Sequence, residues 1–136
     1  MSTLAQARQD YYELSGKASD AARQLAFAGI AVIWVFKSET NGVVSVPDAL
    51  VLPGLLIVAA LFVDLLQYVA AAALWGVFTR AKERRGTKPD DAVTAPAIIN
   101  WPALACYGLK IALVLWAYLC LGLYLRSLVA RWYDLP

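Results

Sequence analysis

Histidine is missing from this chain of 136 residues, and cysteine and charge are scarce. Without histidine there is no bis-histidine haem ligation, no histidine-based zinc site and no imidazole acid–base catalysis. The two cysteines, Cys106 and Cys120, fall in one predicted helix roughly 21 Å apart, so they cannot form a disulfide within one chain. We therefore predict no metal site and no cofactor.

The motifs of common enzyme classes are missing as well. The chain has no glycine-rich nucleotide loop, no G-x-S-x-G elbow and no C-x-x-C pair. A transporter built from inverted repeats needs two similar halves, which three unequal apolar runs do not provide. The sequence therefore predicts that the protein is not an enzyme. Residues 1–17 are polar, unlike a cleaved signal peptide, so we expect the N-terminus to be retained.

What is abundant is apolar surface. Hydrophobic residues make up 61% of the chain and charged residues 16%, whereas an ordinary soluble domain carries about 25% charged residues. A soluble fold of this length could not bury so much apolar surface. The sequence therefore predicts a single-domain, all-α membrane protein. Its segments are a polar N-terminal segment 1–18, helix 19–37, helix 48–79, a loop 80–99 and helix 100–127.

The three predicted helices differ in length and in their end signals. The apolar run of the first gives about 20 Å of helix against roughly 30 Å of hydrocarbon. It spans the membrane only if Arg23 and Lys37 extend their side chains to the interfaces, and an interfacial or re-entrant helix is the alternative. The second helix, with Asp48 as its expected cap, is longer than a bilayer needs, so it should tilt, bend or protrude. Asn100 is the expected N-cap of the third helix.

Basic residues predict the orientation. They are densest just after the second helix, at Arg80, Lys82, Arg84, Arg85 and Lys88. By the positive-inside rule this loop and the N-terminus are cytoplasmic, and the C-terminus lies outside. Arg126 and Arg131 argue modestly against this orientation. The predicted location is the cytoplasmic membrane.

Two charges lie inside the apolar runs, Asp64 in the second and Lys110 in the third. A charge at bilayer depth is costly, so it normally meets a partner, a hydrated cavity or a conduction path. Gln67 and Tyr68 share one helix face with Asp64 because of their i+3 and i+4 spacing. Three interpretations stay open: a structural clasp between Asp64 and Lys110, an aqueous path lined by these polar residues, and snorkelling of Lys110. A direct pair is strained by an expected depth offset of roughly 10 Å.

Small residues also follow helical spacing. Ala18, Ala22 and Ala26 recur every four residues, and Gly29 follows them. Such faces let helices approach closely. We therefore expect this side of the first helix to pack against the other two.

The basic residues after the second helix have two interpretations. They set the topology and contact anionic lipid headgroups, or they form an anion or nucleotide site when several copies bring Arg84 and Arg85 together. Tyr11 and Tyr12 similarly act as interfacial anchors or stack on a base.

The run 12–37 (YELSGKASDAARQLAFAGIAVIWVFK), together with Asp64-Leu-Leu-Gln-Tyr68 and Asn100-Trp-Pro102, resembles small multi-span membrane proteins of bacteria. The general design is similar to the membrane effectors of anti-phage defence systems, which are typically small, oligomeric and paired with an enzyme that makes a nucleotide signal. The resemblance implies a membrane-disrupting or ion-conducting effector, and it transfers no ligand residue.

The resulting expectation is a homo-oligomer in the lipid bilayer that forms or gates an ion-permeable pore, triggered by a cytoplasmic anionic or nucleotide signal. No binding to nucleic-acid duplexes is expected. The alternative is an accessory or anchor subunit of a larger membrane complex, in which Asp64 and Lys110 meet partner helices.

Overall fold

The protein is built from three long α-helices and one short β-hairpin. The computed structural model describes residues 4–86 and 93–133. In chain order it contains α1 (Leu4–Val35), β1 (Ser38–Thr40), β2 (Val43–Ser45), α2 (Asp48–Arg84), a 3₁₀ helix (Ala97–Asn100) and α3 (Trp101–Tyr133). The chain is therefore mostly helical, as predicted.

Helix α1 is longer than the sequence led us to expect. It begins at Leu4, so most of the polar segment 1–18 is part of this helix and not a separate element. The segment 4–15 holds no proline or glycine, and Lys17 pairs with Glu13 one turn away at 2.6 Å. A pair at this spacing supports a helix without any apolar partner. The polar composition of this segment correctly predicts that it is exposed, but it gives no apolar periodicity from which a helix could be predicted.

The connection from α1 to α2 is a β-hairpin, which we did not predict. Strands β1 and β2 pair antiparallel, with Ser38 opposite Ser45. The turn residues Asn41 and Gly42 have φ of 55° and 76°. Two successive positive φ values are the requirement of a type I′ turn, for which Asn-Gly is the preferred pair. The signal was present in the sequence.

Helix α2 begins and ends differently from the prediction. Pro47 occupies the N-cap and Asp48 is the first helical residue, so Asp48 does not cap the helix through its side chain. The helix continues five residues beyond the predicted end at 79, because residues 80–84 favour helix as strongly as the apolar run does. It stops where Gly86 adopts a φ of 80°, a conformation that glycine permits at the end of a helix.

Helix α3 is likewise extended, to Tyr133 instead of residue 127. The residues after 127 include no helix breaker up to this point. At its start, Asn100 is not an isolated N-cap, since it ends the 3₁₀ helix that runs directly into α3. Ile99 N–H donates to the Pro96 carbonyl at 3.1 Å in this turn.

Two stretches of the described chain are long and apolar enough to cross a membrane: α2, and residues Ala97–Tyr133 with α3. This finding rests on length and composition alone. Helix α1 does not belong to the set because only its second half is apolar. The predicted crossing by α1 stays a prediction.

The three helices pack side by side, with α1 and α3 antiparallel to α2. Helices α2 and α3 form the closest pair, and α1 lies against both. The largest apolar cluster, near the hairpin, consists of Ala26, Leu50, Ile57, Ala117 and Leu121. A second cluster of Ala22, Ala60 and Val114 continues the core along the helices. Ala22 and Ala26 are thus at the interface that their spacing predicted.

Candidate functional site

An ion cluster of Arg23, Asp64 and Lys110 joins the three helices, one side chain from each. Arg23 Nε donates to Asp64 Oδ2 at 2.9 Å, and Lys110 Nζ donates to Asp64 Oδ1. Lys110 Nζ also donates to Ser19 Oγ, one turn before Arg23 on α1. Asp64 therefore holds both cations, one on each carboxylate oxygen.

Lys110 is the deepest charge of the cluster. It is 2% exposed and Asp64 is 9% exposed, so the ammonium group depends on protein partners in place of water. Lys110 therefore does not snorkel to an interface, and that interpretation is wrong. A buried charge left without its partner is strongly destabilising, which makes Asp64 and Ser19 essential neighbours of Lys110.

The depth offset predicted between Asp64 and Lys110 is also wrong. That estimate counted the depth of Asp64 from Arg80 and the depth of Lys110 from Trp101, and it assumed that Arg80 and Trp101 lie at the same level. Helix α2 instead continues to Arg84, whereas α3 begins at Trp101. Because Asp64 and Lys110 meet directly, the end of α2 and the start of α3 cannot lie at the same level.

Arg23 extends the cluster to two more side chains. Its Nη2 donates to the Tyr68 hydroxyl at 3.0 Å, and its guanidinium lies 5.8 Å from the centre of the Tyr68 ring. Its Nη1 lies 3.7 Å from Asp20 Oδ1. With Asp20 included, two basic and two acidic groups balance each other, so this part of the bundle is electrically neutral overall.

The sequence did not predict the role of Arg23, Ser19 or Asp20. Arg23 was assigned to a helix boundary, where basic residues are common. The available signal was spacing: Ser19 and Arg23 lie four residues apart, as do Asp64 and Tyr68. Two short polar faces on neighbouring helices can meet, but the pattern does not specify which partners they choose.

A cleft of about 700 Å³ opens beside the ion cluster, between the first half of α1, α2 and the start of α3. Its described walls include five aromatic side chains: Tyr11, Tyr12, Tyr68, Trp101 and Tyr107. Asp20 and Gln67 also line it. Gln67, predicted as an intramembrane polar residue, thus lines the cleft. Its buried Oε1 has no hydrogen-bond partner among the described residues.

The opposite side of the ion cluster is closed. A cavity of only about 10 Å³, near the minimum needed for one water molecule, touches Arg23, Asp64 and Lys110. Beyond it lie Ile57, Leu121 and the rest of the apolar core, which are 0–3% exposed. Within the described part of one chain, the cleft therefore ends at the cluster and does not cross the bundle.

The predicted anion-binding residues that the structure describes do not all lie on one face of the chain. Arg80, Lys82 and Arg84 occupy the last turns of α2, Arg85 is the C-cap that follows, and Lys88 lies outside the described residues. At 3.6 residues per turn, Arg80 and Arg84 share a face and Lys82 points the other way. Lys82 Nζ instead lies 5.6 Å from the centre of the Phe78 ring. A common site would need residues from several copies.

Comparison with protein-family models, curated proteins and solved structures gives no match for this chain. The functional argument therefore depends on the geometry of the ion cluster and the cleft.

Proposed function

We propose that this chain is an oligomeric bacterial membrane protein in which several three-helix units surround an ion-permeable pore. The observation that carries the proposal is the ion cluster, which places a nearly inaccessible lysine and its counter-ion between two helices apolar enough to span a bilayer. Ionisable groups in such segments are costly and commonly mark ion pathways or the elements that control them.

The pore in this proposal lies between copies. Among the described residues, the apolar core closes the bundle between the ion cluster and the hairpin, so this part of a single chain contains no hydrated route across it. The outer faces of α2 and α3 expose large apolar side chains such as Phe62, Leu65, Trp116 and Leu119. These faces suit contact with lipid and with neighbouring helices. A ring of copies would place the conduction path on its central axis.

The ion cluster is the proposed link between a signal and the pore. Helix α1 brings both Ser19 and Arg23 to Asp64 and Lys110, so a displacement of α1 would uncover two charges at once. A ligand can favour that displaced state only if it binds it more tightly than the docked state. The basic residues at the end of α2, shared around an oligomer axis, are the proposed site of a cytoplasmic anionic or nucleotide signal.

Ion flux in reconstituted vesicles tests this function. Purified protein should form a discrete oligomer in detergent, and a nucleotide added on the cytoplasmic face should raise ion flux. Replacing Arg84 and Arg85 together with Gln should abolish this response without changing the oligomer mass, since the change removes charge from an exposed helix end. The matched control replaces Arg126 and Arg131 with Gln, which removes two charges at the other end of the bundle and should preserve the response.

The outcomes separate the two functions. If the parent protein gives no flux with any nucleotide, or the Arg84 and Arg85 variant responds like the parent, the corresponding part of the proposal is wrong. If the chain is instead recovered as a monomer that co-purifies with a large membrane enzyme, the result would favour the function of an accessory subunit over that of a pore. Because Asp64 and Lys110 pair within one chain, that alternative loses the contact with partner helices that originally supported it.

Topology is tested by labelling single cysteines in a background with Cys106 and Cys120 replaced by Ala. A cysteine at Asn41, in the hairpin turn, should react with a membrane-impermeant thiol reagent in intact cells. One at Lys88 should resist until the cells are opened, because the basic loop is proposed to be cytoplasmic. Protection at Asn41 with labelling at Lys88 would reverse the orientation.

A further inference from the structure

The cleft beside the ion cluster has the chemistry of a cation site. Among the described residues that line it, Asp20 is the one charged side chain, and it is accompanied by five aromatic rings. The negative faces of aromatic rings attract cations, and a carboxylate adds direct charge compensation. The ring centres of Tyr68 and Tyr107 already lie 5.8 Å and 5.9 Å from the charged groups of Arg23 and Lys110, so Tyr11, Tyr12 and Trp101 are the rings left for a bound cation. The described lining itself offers no basic side chain to an anion.

Asp20 is available to a ligand. Its carboxylate lies 3.7 Å from Arg23, whose shorter contacts go to Asp64 at 2.9 Å and Tyr68 at 3.0 Å. The Asp20 side chain is 67% exposed. Arg23 is thus engaged mainly by other partners, and a second cation can approach the Asp20 carboxylate from the cleft.

Gln67 adds a requirement for a hydrogen-bond donor. Gln67 lines the cleft, but its Oε1 atom is buried and has no hydrogen-bond partner in the described part of the chain, so a ligand in the cleft reaches this oxygen only after the side-chain amide turns toward it. A buried acceptor without a partner costs free energy, which a ligand N–H group would recover. A quaternary ammonium group carries no N–H and cannot supply this bond.

We propose that the cleft binds a primary ammonium group attached to an apolar body. In this site Asp20 pairs with the ammonium charge, Gln67 Oε1 accepts one of its N–H groups, and the rings of Tyr11 and Tyr107 contact the apolar body. The volume of about 700 Å³ lies in the range of small-molecule sites. Two sources carry the primary ammonium group, a soluble amine and the headgroup of an amino-phospholipid, whose phosphate would have to stay outside the cleft because the described lining has no basic side chain. The proposal goes beyond pore formation and does not depend on conduction.

Calorimetry on the full chain in a neutral, amine-free detergent tests the site with 2-phenylethylammonium. Binding should saturate at one molecule per chain. Asp20→Asn should weaken it by about tenfold or more, because a hydrogen bond to a charged group is lost. Gln67→Leu should weaken it several-fold, and Asp10→Asn, an exposed aspartate elsewhere on α1, should leave it unchanged. The trimethylammonium analogue should bind less tightly, and 3-phenylpropionate should not bind.

Native mass spectrometry of protein from mixed-lipid nanodiscs tests the lipid source. Phosphatidylethanolamine should be retained in preference to phosphatidylglycerol, and Asp20→Asn should remove that preference. Saturable binding of either the soluble probe or the amino-phospholipid, with dependence on Asp20, supports the site and identifies its source. The proposal is overturned if neither the soluble probe nor the amino-phospholipid binds, or if 3-phenylpropionate binds as tightly as the ammonium probe. It is also overturned if the Asp20→Asn variant binds like the parent. Circular dichroism confirms that each variant is folded, and pore activity is measured separately, so the two proposals fail independently.

Discussion

Replacing Asp64 with Asn is expected to lower the free energy of unfolding by about 3–5 kcal/mol, the usual cost of leaving a buried charge without its partner. The substitution preserves the shape of the side chain and removes only its charge. Arg23 and Lys110 then lose their shared counter-ion, and at 2% exposure the Lys110 side chain is shielded from the bulk water that could replace it. Equilibrium unfolding in mixed micelles, followed by far-UV circular dichroism, measures the change.

The partner substitution should behave differently. Lys110→Met removes the deepest charge and leaves the Arg23–Asp64 pair at 2.9 Å intact, so its cost should be well below that of Asp64→Asn. Because the two sites interact directly, the double variant Asp64→Asn with Lys110→Met should recover much of the stability lost by Asp64→Asn alone. Glu83→Gln, an exposed carboxylate on the same helix, is the control and should change stability by about 0.5 kcal/mol or less.

These measurements also separate the clasp from the aqueous path. A clasp requires the large loss for Asp64→Asn and its recovery in the double variant. A path through Asp64 requires altered ion flux in reconstituted vesicles with little loss of folded protein. If Asp64→Asn and Glu83→Gln are equally stable, Asp64 is not a structural anchor. If the double variant recovers stability and conducts like the parent, Asp64 does not line the pore.

Replacing Gly29 with Leu is expected to destabilise the contact of α1 with the other helices, at a cost of about 1–3 kcal/mol or more. A Cβ atom at Gly29 would lie 2.5 Å from Ile57 Cδ1 and 3.7 Å from Tyr118 Cε2. Ile57 is fully buried, so it cannot move aside for the further carbons of a leucine. Gly29→Ala should cost less, because the single new methyl group overlaps only the terminal Cδ1 atom of Ile57 and brings no further carbons.

The matched control is Gly122→Leu. Gly122 also lies inside a helix, but a Cβ atom there would meet nothing within 4 Å. Leucine favours helix over glycine by up to about 1 kcal/mol, so this variant should be neutral or more stable. Unfolding in mixed micelles measures both variants, and hydrogen exchange locates the change. Equal destabilisation by the two substitutions would show that space at Gly29 is not the cause.

The sequence by itself determined the elements that depend on local pattern and composition. Apolar runs specify three helices, and the small residues Ala22, Ala26 and Gly29 at helical spacing mark the face on which α1 packs. Two buried charges in apolar runs identify Asp64 and Lys110 as residues that need partners. These inferences hold because helical periodicity and the cost of isolated charge depend on residue type and spacing, which the sequence contains.

The positions of the helix ends and the partners of the polar side chains did not follow from the apolar pattern. The polar start of α1 forms a helix through local pairs such as Glu13–Lys17, so hydrophobicity alone predicted the apolar part and not the whole element. Only the tertiary structure placed Arg23 on Asp64 and Ser19 on Lys110, and only it brought Asp20 and Gln67 into the lining of one cleft. The relative shift of packed helices depends on side-chain fit along their whole length, which no single segment specifies.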